Sequence, residues 1–154
     1  LRRQRGITRA LVDASGDIGG SGPPPGKDGW TIRVVPLSAD GTPTREIKLA
    51  NAAVTTSGDA FQYVELGGKR YSHIVDPRTG LGLTDRTGVT VIAPDCMTAD
   101  SLATAASVLG PTSGLELVER TPGAAAFIVR AAAGGDIETF VSLRFPKNSS
   151  QAQP

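Results

Sequence analysis

Asp100 and Thr104 stand four residues apart in the run 98–109, which has the composition of a helix. That spacing puts a carboxylate and a hydroxyl on one helix face, one turn above the other. At about 100° per residue, Leu102, Ala106 and Leu109 cluster on the opposite side. An oxygen-bearing front of this kind suits a hard cation such as Mg2+, which takes a few oxygen ligands and keeps waters and phosphate for the rest. The same pair also describes a solvated face whose acid is favoured near the helix N-terminus.

The chain has a single histidine, His73, in the string Tyr71-Ser72-His73-Ile74-Val75-Asp76-Pro77-Arg78-Thr79-Gly80. A strand end followed by a turn-forming loop is a good place for a general base, because the strand fixes the ring and the loop can carry a ligand. Imidazole takes up a proton near neutral pH. Asp76 lies three residues on and could orient the ring or take part in the proton transfer, while Arg78 could pair with a phosphate. The alternative is a structural histidine beside an Asp-Pro turn. Two Gly-rich stretches, Ser15-Gly16-Asp17 with Gly19, Gly20 and Gly22, and Thr56-Ser57-Gly58-Asp59, permit close approach of backbone to a ligand. Neither has the spacing of a phosphate loop or a dinucleotide fingerprint, and taken alone each reads as a turn. Ser57 has no nucleophile-elbow surroundings.

Mostly strands must position these groups. Residues 9–14 read as a short buried strand, 30–37 as a half-buried strand, and 46–56 as a further strand-like run. Asp40-Gly41 is a hairpin signal, and 61–66 with 69–75 pair around Gly67-Gly68. Residues 88–93 form another strand. A helix over 98–109 has cap candidates in Asp95 and Thr98 and stops at Gly110-Pro111; a shorter one covers 113–120. A closing hairpin spans 124–131 and 137–145 across Gly134-Gly135-Asp136. The order predicts an α+β domain, mainly an antiparallel sheet with a helix pair near the C-terminus. It occupies 1–146, and the polar tail 147–154 reads as disordered.

A length of 154 residues fits one domain, and an apolar fraction of 39% can furnish its core. Sixteen basic residues against 15 acidic ones give no electrostatic reason to expect nucleic acid or an acidic membrane. No apolar run is long enough to span a bilayer, and no signal peptide is visible. The opening, Leu1-Arg2-Arg3-Gln4-Arg5 before Gly6, reads as the last turn of a helix begun elsewhere. The single cysteine, Cys96, excludes an internal disulfide and reads as a small buried apolar residue. Nineteen Gly and 11 Pro, placed mostly at turns, point to short strands and many loops.

Four segments in order resemble the ApbE flavin transferases. ALVDASGDI at 10–18 is similar to the family's strand ending in Gly-Gly-Asp, and AVTTSGD at 53–59 to its Ala-Thr-Ser-Gly-Asp segment. YSHIVDPRTG at 71–80 resembles its His-Ile-x-Asp-Pro-x-Thr-Gly string, and VTVIAPDCMTADSLATAASVLG at 89–110 its strand followed by the Ala-Asp-x-x-x-Thr helix. The resemblance implies a fold related to the T-fold and transfer of FMN from FAD to a Ser or Thr of an acceptor flavoprotein, with release of AMP. It implies His73 as catalytic base with Asp76 beside it. It implies Asp100 and Thr104 as Mg2+ ligands, joined by a backbone carbonyl from a segment absent here. Asp17, Ser57, Gly58, Ile74 and Arg78 would line the flavin site. Relatives that hydrolyse FAD to FMN and AMP, and a non-catalytic flavin-binding module, are the alternatives.

Two local departures are Ser15 in place of a Gly and Ala60-Phe61 where an aromatic directly after the Asp is common. The family's N-terminal portion, with its Gly-Lys-Gly segment and much of the FAD pocket, is expected as the missing partner of this domain. Family members commonly work outside the cytoplasm, periplasmic or attached to the outer face of the cytoplasmic membrane.

Overall fold

The computed structural model describes residues 6–37, 44–58, 62–132 and 135–147. In chain order the strands are β1 (Leu11–Ala14), β2 (Asp17–Gly20), β3 (Trp30–Val34), β4 (Arg45–Leu49), β5 (Ala52–Gly58), β6 (Tyr63–Leu66), β7 (Lys69–Ser72), β8 (Val75–Asp76), β9 (Leu81–Gly82) and β10 (Thr87–Ala93). Helix α1 (Cys96–Arg120) follows, then β11 (Ala125–Ala131) and β12 (Ile137–Val141). Six strands form one antiparallel sheet in the order β1-β2-β5-β10-β11-β12, and β3-β4, β6-β7 and β8-β9 are antiparallel pairs. This is the α+β class, with a mainly antiparallel sheet.

The molecule has three layers because β5, β10 and β11 are apolar on both faces. On one face Ala53, Val89, Val91, Ala126 and Ile128 pack against Ala99, Leu102, Ala103, Ala106 and Val118 of α1. The small side chains of the helix let it lie close on the sheet. On the other face Val54, Phe127 and Val129 meet Ile32, Val34, Ile47 and Leu49 of the β3–β4 hairpin, with Leu37 and Phe145. Phe127 and Phe145 stack at 5.7 Å between ring centroids. Between the two, Gly88 on β10 leaves no space for a side chain, since a Cβ there would run into the Pro36 carbonyl.

Several expectations are corrected. Leu11–Ala14 is a largely exposed edge strand rather than a buried one, because among the described residues only β2 pairs with it. The run 46–56 splits into β4 and β5 at Asn51, which takes a left-handed φ of 50°. The expected helix pair is a single helical span broken at Gly110 (φ 78°, ψ 173°). Proline disfavours helical backbone in the residue before it yet fits the first position of a helix, so helix resumes at once. Leu109, at this break, is exposed instead of completing the apolar back. Of the two cap candidates, Asp95 is the cap, accepting from Thr98 N at 2.9 Å. Cys96 is half-buried against the core. The readings at 1–5, Asp40-Gly41, Phe61, Gly134 and 148–154 lie outside the described residues. Among the described residues no helix is long and apolar enough to cross a membrane.

Candidate functional site

The strand-helix sandwich brings one group of oxygen donors together. Ala53 and Thr55 on β5 face α1, so strand alternation turns Ser57 the same way. Its hydroxyl lies 3.3 Å from the hydroxyl of Thr104. Asp100 is one turn away on the same exposed edge of the helix, whose other edge is fixed by the buried Ala99 and Ala103. On β2, a Cβ at Gly19 would meet Cys96 Sγ at 2.9 Å, so that face of β2 looks toward α1. Asp17, two residues earlier, shares it and is half-buried. Gly58 is tightly packed: a Cβ there would sit 3.0 Å from the Thr87 carbonyl oxygen.

The second group surrounds His73, which is exposed at the end of β7. Its ring Nδ1 is 3.1 Å from the Gln62 main-chain oxygen, the same atom that accepts the His73 N–H at 3.2 Å. Asp76 is brought together with Arg78 rather than with the imidazole. Arg78 donates from Nε at 2.9 and 3.2 Å, from Nη2 at 2.8 Å and from its main-chain N at 2.9 Å. These bonds hold the Asp76 carboxyl below its ordinary value and raise the Arg78 guanidinium. The buried Ile74 fixes the backbone, donating to Ser72 Oγ at 3.1 Å and accepting from Leu83 N at 2.8 Å.

Asp76 and Arg78 line a cavity of about 440 Å³ whose other walls include Lys69, Tyr71, Thr79 and the helix break at Gly110 and Pro111. Sequence reasoning missed Lys69, Tyr71 and the Gln62 carbonyl. A main-chain oxygen leaves no signature in residue type, and Lys69 and Tyr71 reach the cavity only through the register of the β6–β7 hairpin. Among the described residues no three His, Cys, Asp or Glu gather to hold a metal. The donors at Asp100, Thr104 and Ser57 are one carboxylate and two hydroxyls, a set that fits a hard cation retaining waters and phosphate oxygens.

The ApbE family model matches residues 1–128. The chain is similar to the FAD:protein FMN transferase of Vibrio cholerae, 39% identical over 121 residues, covering 76% of this chain and 36% of the relative. It is 33% identical to the enzyme of that name from Escherichia coli K12 over 147 residues, covering 94% and 41%. Among solved structures, the flavin transferase ApbE of Vibrio cholerae superposes with a TM-score of 0.77 at 30% identity, over 94% of this chain and 45% of that one. The apo flavinyl transferase ApbE of Pseudomonas stutzeri gives 0.72 at 35% identity, over 92% and 44%. The chain thus spans less than half the length of these relatives. On this match in sequence and fold, the chain belongs to the ApbE family.

Proposed function

We propose that the chain supplies the base and the metal ligands of an FAD:protein FMN transferase. Membership of the ApbE family, whose curated relatives carry that activity in their names, is the observation that supports this most directly. Asp100 and Thr104 hold Mg2+, with Ser57 against the Thr104 hydroxyl. The ion neutralises phosphate charge when bound. Asp17, Ser57, Gly58, Ile74 and Arg78 line the flavin side. His73 accepts the proton of an acceptor Ser or Thr hydroxyl as its oxygen bonds to the FMN-side phosphorus of FAD. The pyrophosphate P–O bond breaks and AMP leaves with its electron pair. Asp76 acts through Arg78, keeping the guanidinium in a fixed fork at the cavity wall.

His73→Ala should lower transfer by about 10²–10⁴-fold, the usual worth of a general base, while FAD binding persists. Transfer that survives this change rejects His73 as the base. The experiment is incubation of the full gene product with FAD, Mg2+ and candidate acceptors, followed by mass spectrometry. FMN on a Ser or Thr supports the transferase. Free FMN and AMP without adduct indicate hydrolysis, and intact FAD a binding module.

A further inference from the structure

We infer that the Gln62 main-chain carbonyl, not the Asp76 carboxylate, orients His73, keeping the proton on Nδ1 and leaving Nε2 as the basic nitrogen. The inference deepens the proposed function and rests on it for the role of the base; the orientation itself rests on geometry. One oxygen, Gln62 O, faces both the ring Nδ1 at 3.1 Å and the main-chain N–H of the same residue at 3.2 Å. A carbonyl carries two lone pairs and no proton, so it accepts both bonds and can only be met by Nδ1–H. In the neutral ring the lone pair then sits on Nε2, the nitrogen pointing away from the backbone.

The frame around this contact is closed on both sides. Ser72 N donates to Leu83 O at 2.8 Å, and Leu83 N donates to Ile74 O at 2.8 Å, so the residues flanking His73 are pinned to the segment after β9. Gly82 lets that segment lie against Ser72, because a Cβ there would strike the Ser72 carbonyl. Asp76, the residue whose type suggests an orienting role, has both carboxylate oxygens engaged by Arg78. When a hydroxyl gives its proton to Nε2, the imidazolium keeps its Nδ1–H on Gln62. A neutral oxygen thus holds the ring through the whole step.

His73 is the only histidine of the chain, so its ring can be observed without assignment. The test is a two-bond ¹⁵N–¹H correlation spectrum of the folded chain labelled with [¹⁵N]histidine, at about pH 8.5, where an ordinary imidazole is neutral. The Nδ1–H share, relative to Nε2–H, should be raised roughly fivefold or more over that of an unstructured histidine peptide, the bias one net hydrogen bond supplies. Asp76→Asn should leave that pattern unchanged. An Nε2–H ring in the unaltered chain, or a tautomer change in Asp76→Asn, overturns the inference. FMN transfer with an Nε2–H ring would reject this orientation and keep the transferase. An Nδ1–H ring without transfer would reject the transferase and keep the orientation.

Discussion

A hydroxyl is a weak ligand unless its lone pair is already aimed; in the proposed metal site Thr104 donates across its 3.3 Å contact to Ser57, an arrangement that would aim its lone pair at the ion. Ser57→Ala should therefore weaken Mg2+ binding about tenfold, the lower end of what an orienting partner contributes to a metal site. Ser57→Thr, which keeps the hydroxyl, should bind almost normally. Titration calorimetry with Mg2+ on the three proteins decides it, and equal affinities would detach Ser57 from the metal. Asp100→Asn should weaken binding further, since it removes the charge of the proposed ligand. At Asp76 the sign of the pH effect follows from Arg78. The folded carboxyl sits below its ordinary 3.8, so the pair's contribution is present above that value and fades as pH falls through the lower folded one. Arg78→Ala should move the Asp76 titration back up, which a carboxyl ¹³C titration reads directly.

The break in α1 gives the clearest test among the elements. Gly110 has φ 78° and ψ 173°, a region open almost only to glycine, and no atom lies within 4 Å of a Cβ built there. Gly110→Ala should then cost about 1–3 kcal/mol for backbone reasons alone, measured by denaturant unfolding. A cost near zero would mean that the segment re-forms without the break. Asp95→Ala removes the cap that takes Thr98 N and should lower the Tm by a few degrees.

These same elements show what could be read in the chain. The strands were legible from β-branched runs between glycines, and Asp100 with Thr104 from helical spacing. The continuity of α1 was not, because Gly110-Pro111 signals a stop equally well when helix resumes immediately. Nor was the edge position of β1: Val12 looks like a core residue until the sheet order leaves one side of β1 without a strand among the described residues. At the candidate site, the His73 string suggested a base with Asp76 beside it; in the structure the His73 ring meets the Gln62 carbonyl and the Asp76 carboxylate meets Arg78.

At the scale of the molecule, the layers are tied together by a residue far from the candidate site. Arg144, beyond β12, donates to the carbonyls of Val118, Glu119, Thr121 and Ala124 and pairs with Glu119 at 3.1 Å. It fastens the C-terminal end of α1, where carbonyls otherwise lack partners. Arg144→Leu should destabilise the fold by about 1.5–3 kcal/mol while leaving the Mg2+ affinity of the folded protein unchanged; thermal unfolding and calorimetry separate the two. The fold thus fixes the two groups of the proposed site separately, the oxygen donors through α1 on β5 and His73 through the β6–β9 segments.

The central claim is that His73 activates a hydroxyl for FMN transfer. Its most direct test compares the full gene product with its His73→Ala variant, each given FAD, Mg2+ and an acceptor protein, with the acceptor's peptides read by mass spectrometry. FMN on a Ser or Thr with the unaltered protein, and its loss in the variant despite retained FAD binding, is the predicted result. Equal FMN incorporation by both would contradict the account.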